Sequence, residues 1–277
     1  MIGREFDVPK ASAERFRRWL TDPDSFDVVQ PRPAASIMLL RDTSNGLEVF
    51  ILRRVTGMKF LPTATVFPGG GVDARDNEDL PWAGPSPAEW ARRMGCDELT
   101  ARQLIATAVR ELFEEVGVLL AGPSSNELVT GSVAEQWGPE RAALESHDIS
   151  LTEFLTAQNL VLRSDLLAFR SRWITPPTEP SRFNTHFFAA ALPPGQVAEA
   201  LTTEADQFRW TDPQWPLDEA RAGRQLVIAP TQVNLEELVT AGSVAAAMRV
   251  PDHIEPIMIE PFWRPDGAVG MRAGRPY

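Results

Sequence analysis

The stretch Val109–Leu119, Val-Arg-Glu-Leu-Phe-Glu-Glu-Val-Gly-Val-Leu, leaves few folds open. It reads as the end of a helix, with Gly117 at the position where a left-handed C-cap residue stops the chain. With Leu104 as origin and about 100° per residue, Ala108, Leu112, Ile105, Val116 and Val109 fall between roughly 40° and 140°. That arc is the apolar stripe of a core-facing helix. Glu114 falls near 280°, on the side expected to be wet, but Glu111 and Glu115 fall near 340° and 20°. Two carboxylates therefore stand at the edge of the buried arc.

The ordinary account of neighbouring glutamates is a solvated helix face. Here, like charges one turn apart repel, and partial burial makes each harder to keep ionised. A hard cation among the oxygens would relieve both costs, and carboxylates suit Mg²⁺ or Mn²⁺.

A second stretch lies upstream: Phe67-Pro68-Gly69-Gly70-Gly71-Val72-Asp73. Successive glycines permit positive φ and a close backbone approach to a ligand. Together the two pieces resemble the Nudix box, G-x5-E-x7-R-E-U-x-E-E-x-G-U with U aliphatic. Arg110, Glu111, Leu112, Glu114, Glu115, Gly117 and Val118 match its second half, and Gly70 stands as its glycine. The motif's first glutamate is replaced by Asp76, and Asn77–Arg102 then separates the halves. A split box after Pro-Gly-Gly is similar to the coenzyme A diphosphatase-like branch of the Nudix hydrolases. That branch also has stretches similar to Trp173-Ile174-Thr175-Pro176 and Arg182-Phe183-Asn184-Thr185-His186-Phe187-Phe188, with Asn184 in place of the more usual acid.

The resemblance implies a Nudix-type α/β/α sandwich with a mixed sheet, elaborated by a helical insertion and extra helices. It implies Mg²⁺- or Mn²⁺-dependent hydrolysis of a nucleoside diphosphate linked to another group. Glu111, Glu114 and Glu115 would supply most of the ligands and Gly70 its carbonyl, while Arg110 would orient a carboxylate. Coenzyme A or acyl-CoA is the leading substrate. An ADP-ribose- or NADH-type dinucleotide is the alternative, and a non-catalytic binding module would need a broken acid set. Asp76 is expected to be dispensable or to hold its loop rather than the metal. Glu204 and Asp206 are the candidates for an extra acid.

The chain has 277 residues with 43% hydrophobic and 23% charged content, ordinary for a globular protein. A net charge of −11 argues against a general nucleic-acid surface and means that local cations must receive a polyanion. Arg53, Arg54 and Lys59 precede the glycines. They read either as surface charge or as phosphate recognition. Arg182 is open in the same way, between a phosphate and a structural carboxylate. One cysteine, Cys96, and no apolar signal core point to a reducing, cytoplasmic setting. The expected partner is a small nucleotide, with no nucleic acid and no membrane; a homodimer is admitted.

The whole chain, 1–277, reads as one elaborated domain with a core over about 34–250 and an insertion over about 77–102. Ala11–Leu20 suggests a surface helix, and Ala34–Arg41 with Leu47–Arg54 a hairpin around Asn45-Gly46. Thr63–Phe67 suggests a short strand entering Pro68. Ser86-Pro87-Ala88-Glu89 is a capping box opening a helix to about Met94, and Asp97 or Thr100 caps the next one. Trp82 and Trp90 are read as packing this insert onto the body. Helices around Glu140–Glu145 and Ser150–Asn159 are candidates for a cap over the site. Leu166–Ile174 and Phe183–Leu192 read as strands, and Pro213–Gly223 and Thr231–Met248 as helices. The path of Pro251–Tyr277 is not legible beyond a strand at Ile257–Ile259.

Overall fold

Strand β2 (Arg32–Thr43) is apolar on both faces, the pattern of a strand covered on two sides. Ala35, Ile37 and Leu39 enter one core, and Met38 and Leu40 enter another. The computed structural model describes residues 1–55, 63–202, 205–251 and 253–276. Around β2 it forms a mixed sheet of ten strands among the described residues.

The chain opens with β1 (Glu5–Phe6) and helix α1 (Lys10–Thr21), which seats Phe16 in the second core. After β2 the hairpin returns as β3 (Gly46–Arg54), with Thr43 paired to Gly46, so the turn is tighter than the expected loop. Short strands β4 (Thr65–Val66) and β5 (Gly69–Gly71) follow, then β6 (Trp82–Ala83). Helix α2 (Pro87–Met94) starts from the Ser86/Glu89 capping box and ends at left-handed Gly95. Its Trp90 is fully buried and meets Phe188 edge-on at 6.1 Å, so the insert is welded to the core. Helix α3 (Glu98–Val116) is capped by Asp97 and stopped by Gly117 at φ 70°.

Strand β7 (Ala121–Gly122) leads to helices α4 (Val133–Gln136), α5 (Gly138–Glu145) and α6 (Leu151–Ala157). Strand β8 (Val161–Arg163) pairs with β6 and β7 in a small second sheet. Strands β9 (Leu167–Ile174), β10 (Phe183–Ala191) and β11 (Ala205–Thr211) return to the main sheet. Helices α7 (Gln214–Arg221), α8 (Ala229–Ala241) and α9 (Val244–Ala247) follow. The single helix expected over Thr231–Met248 is thus two, because Gly242 caps α8 in the left-handed region. Val239, expected on its apolar face, is exposed. The C-terminal segment forms a hairpin, β12 (Pro256–Trp263) and β13 (Val269–Gly274), that extends the sheet.

The main order is β1-β13-β12-β9-β10-β2-β3-β11, with β10 parallel to β2 and β12 parallel to β9. Helices α2, α3 and α6 cover one face and α1 and α8 the other, giving the sandwich. Where β3 has left β2, β5 takes its place: Ala34, Ala35 and Ser36 pair with Gly71, Gly70 and Gly69. The glycine run is therefore a strand rather than only a turn. A Cβ on Gly69 would stand 2.3 Å from the Ala35 carbonyl oxygen, so this approach requires glycine there.

Alternation along β10 sends Phe183, Thr185 and Phe187 to a cavity and His186 to the opposite, buried face. The His186 ring stacks on Phe169 at 5.5 Å. Burial, helped by the Arg172 charge, lowers its pKa from 6.5 to about 3. The neutral ring is the native form, whereas the unfolded chain takes up a proton near pH 6.5. Its contribution is intact above that pH and is lost as pH falls from 6.5 towards 3. Between pH 7 and pH 5.5 wild-type stability should then fall by about 1.3 kcal/mol more than that of His186→Leu. Denaturant unfolding at about pH 7 and about pH 5.5 checks this, and parallel losses in the two proteins would refute it.

Candidate active site

Helix α3 carries its acidic residues beneath β5, and the two pieces of chain are joined through one side chain. Arg110 is buried and uses its fork on Asp76, with Nε and Nη2 each donating to a carboxylate oxygen at 2.9 Å. Its Nη1 donates to Glu111 at 2.8 Å and Glu114 at 3.1 Å, and Nη2 also reaches the Gly71 carbonyl at 3.2 Å. Burial works against this charge, but the Asp76 hydrogen bonds and the Glu111 and Glu114 charges more than offset it, raising the pKa. Asp76 also accepts from Thr107 Oγ1 at 2.8 Å and from the Asp73 N–H at 2.9 Å. Asp73 and Asp76 together cap a 3-10 turn at Ala74–Asn77.

The third acid is held differently. The Gly69 N–H donates to Glu115 at 2.8 Å. At the end of α3 the Glu115 and Val116 carbonyls accept from the Leu201 and Glu199 N–H groups. Gly70 lies against Glu111 so closely that a Cβ would stand 2.4 Å from its Oε1.

These groups open on a cavity of about 740 Å³. Gly69, Gly70, Gly71, Arg110, Glu111, Glu114 and Glu115 form its floor, with Phe67, Phe187 and Ile228 as apolar wall. Glu114, placed on the wet side by helical spacing, is instead buried. Helix α5 packs over that side, and Arg141 donates to the Glu114 carbonyl at 2.6 Å. Burial first, and the Glu111 charge next among the raising effects, push the Glu114 carboxyl up to about 7 against the pull of Arg110. Its Oε1 is buried without a hydrogen-bond partner.

No family model matches the chain. A Caenorhabditis elegans protein provisionally named nudix hydrolase 7 is 30% identical over 207 residues, covering 75% of this chain and 60% of that one. The Xenopus laevis acyl-coenzyme A diphosphatase NUDT19 is 23% identical over 252 residues, covering 79% of this chain and 66% of that one. The chain thus spans less than two thirds of the length of either curated relative. The crystal structure of a NUDIX hydrolase from Alicyclobacillus acidocaldarius superposes with a TM-score of 0.66 at 29% identity, over 81% of this chain and 99% of that one.

The chain is similar in sequence to Nudix hydrolases and shares their fold.

Within this Nudix fold the residues singled out from the sequence separate by location. Gly70, Arg110, Glu111, Glu114, Glu115 and Arg54 line the cavity. Asp76 does not line it, since both its oxygens are engaged behind Arg110. Arg53 lies outside the lining, 3.9 Å from Asp206. Arg182 is buried away from it, donating to the Thr175 carbonyl at 3.0 Å and the Val29 carbonyl at 2.8 Å. Arg182, expected on a phosphate or a structural carboxylate, is instead held by main-chain oxygens. Lys59 and Glu204 lie outside the described residues.

Other lining residues had no motif to announce them. Phe183, Thr185 and Phe187 follow from strand alternation once β10 is paired. Glu145 and His147 arrive from the end of α5, which brings that helix to the rim. Arg75 of the 3-10 turn bonds the His147 ring and carbonyl across the mouth. Arg32 comes from the start of β2.

Two outcomes follow from this packing. Asp76→Ala leaves a buried guanidinium without its forked partner and should cost about 3–5 kcal/mol, read from the shift in denaturant midpoint. A loss under about 1 kcal/mol would contradict it. Gly70→Ala should displace the Glu111 carboxylate and lower turnover while the far-ultraviolet circular dichroism stays unchanged. Undiminished turnover would show that Glu111 need not stay where it is.

Proposed function

We propose that the chain hydrolyses the diphosphate bond of a nucleoside diphosphate linked to another group, with Mg²⁺ or Mn²⁺. The observation that carries this reading is the meeting of three α3 carboxylates with the Gly69–Gly71 strand at one cavity. The similarity to Nudix hydrolases agrees with it. Coenzyme A or an acyl-CoA is the leading substrate, supported by the similarity to the amphibian acyl-CoA diphosphatase. We take residues 1–277 to act as one elaborated domain, since Asp76 and Arg110 lie on opposite sides of the insertion and bond directly.

Among the described residues no three His, Cys, Asp or Glu side chains form a cluster arranged to hold a metal. The donor set nevertheless suits a divalent cation. Glu114 Oε1 is buried and unpartnered, and Glu114 is held near neutrality by burial and the Glu111 charge. A cation would relieve both penalties. Glu111, Glu114 and Glu115, with the Gly70 carbonyl, would hold it. When bound, the cation neutralises charge on the diphosphate and lowers the pKa of a water molecule.

The chain's own residues supply the order. Arg110 fixes the Glu111 and Glu114 carboxylates, and the Gly69 N–H fixes Glu115, so their positions are set before substrate enters. The apolar wall of Phe67, Phe187 and Ile228 limits water at one side of the cavity. Asp76 stands behind Arg110 as a positioning residue.

Incubation with a panel of coenzyme A, acyl-CoA, ADP-ribose and NADH, each with Mg²⁺ or Mn²⁺, tests the reading by product mass. Coenzyme A should give 3′,5′-ADP and a phosphopantetheine product. Cleavage of only the dinucleotides would move the substrate assignment, and no cleavage would overturn the enzymatic reading. Glu115→Gln should lower turnover at least about a hundredfold, the scale of losing one electrostatic stabiliser. Wild-type turnover in a folded Glu115→Gln protein would remove this acid from the site.

A further inference from the structure

The cavity is acidic in an acidic chain, so a polyanionic substrate needs cations that are not already spent. Arg110 is committed to Asp76, Glu111 and Glu114. Arg54 also lines the cavity and is itself engaged. Arg182 serves main-chain carbonyls, and Arg53 lies near Asp206.

Arg32 differs. It lines the cavity, is exposed to solvent and makes no ion pair or side-chain hydrogen bond among the described residues. It is placed all the same. Parallel pairing sets Arg32 opposite Phe183, and the Arg32 N–H donates to the Arg182 carbonyl at 2.9 Å. The guanidinium carbon lies 5.0 Å from the centre of the Phe183 ring. That stacking limits the guanidinium's freedom while leaving its N–H edge available, the edge that forks onto phosphate oxygens.

We infer that Arg32, held on Phe183, receives a second phosphate of the substrate, a phosphomonoester separate from the diphosphate being cleaved. This deepens the diphosphatase reading and rests on it for the placing of the diphosphate. Arg32 stands three residues along β2 from Ala35, the partner of Gly70, or roughly 10 Å at the rise of a strand. An arginine side chain and a ribose between two phosphates together cover such a span. The substrate class is then a nucleoside carrying a 5′-diphosphate link and a phosphate on its ribose. Arg32 is a specificity residue on this account, and Phe183 positions it. A nucleobase lying on the free face of the guanidinium is the competing occupant.

The test uses pairs of molecules that differ only in the 3′-phosphate. Hydrolysis of coenzyme A and dephospho-coenzyme A is measured as separate kcat and KM for wild type, Arg32→Ala, Arg32→Lys and Phe183→Leu. Binding of adenosine 3′,5′-bisphosphate and adenosine 5′-monophosphate is measured by calorimetry on the same proteins. Wild type should favour the phosphorylated member of each pair by roughly ten- to a hundredfold, as expected for a charged forked hydrogen bond. Arg32→Ala should bring that ratio towards one, in hydrolysis through KM rather than kcat. Arg32→Lys should keep part of the preference, and Phe183→Leu should weaken it.

A ratio unchanged in Arg32→Ala overturns the inference while leaving the diphosphatase reading in place. Equal losses on both members of each pair also overturn it and favour the nucleobase. Should wild type hydrolyse neither substrate, the reaction reading falls. The calorimetric ratio then decides the phosphate seat by itself.

Discussion

A guanidinium taken out of water is tolerable only when its hydrogen-bonding groups find partners, and Arg110 meets that condition by drawing in distant parts of the chain. Asp76 takes the fork, Glu111 and Glu114 share the third nitrogen, and the Gly71 carbonyl accepts as well. The same charge lets acidic groups remain close together on α3. Removing either member of the Arg110–Asp76 pair would expose the penalty that the other now avoids. The position of β5, of the 3-10 turn and of two carboxylates is one electrostatic solution rather than several independent ones.

The sheet supplies the second constraint. Strand β2 is shared along its length, with β10 on one side and first β5, then β3, on the other. Only a strand without side chains can lie that close to Ala35 while pressing its other side on Glu111. The glycines thus answer a packing requirement and leave backbone groups facing the cavity. The parallel partner β10 gives the cavity its odd-numbered side chains and buries His186 with the even ones.

Local chemistry made much of this legible beforehand. Asp97 and Gly117 bound α3, Ser86 with Glu89 opens α2, and Ser44-Asn45 turns the hairpin just before Gly46, because each signal acts within a few residues. Helical spacing placed Glu111 and Glu115 at the edge of the buried arc, while Gly70 was singled out only through the resemblance to the Nudix box. Glu114 was misplaced because its burial comes from α5, more than twenty positions later, which no helical wheel contains. The fate of each arginine was equally hidden. Arg182 looks available until the Val29 carbonyl arrives from the other end of the chain, and Arg32 has no motif around it. The C-terminal hairpin escaped for a related reason: its pairing partners, β9 and β1, are far away in sequence.

The insert between Asn77 and Arg102 also bears on how such a chain can change. Gly69 and Glu115, which touch, are separated by 46 positions. In polymer terms, doubling the length of a closed loop costs only about 0.6 kcal/mol. Truncating a buried tryptophan such as Trp90 costs about 3–5 kcal/mol, several times more. The tether joining the halves of the site can therefore lengthen or shorten with little thermodynamic consequence, provided that Ser86–Met94 keeps its seat against Phe188. Chain length is a weak constraint at this point, and the anchoring of one indole ring is the strong one.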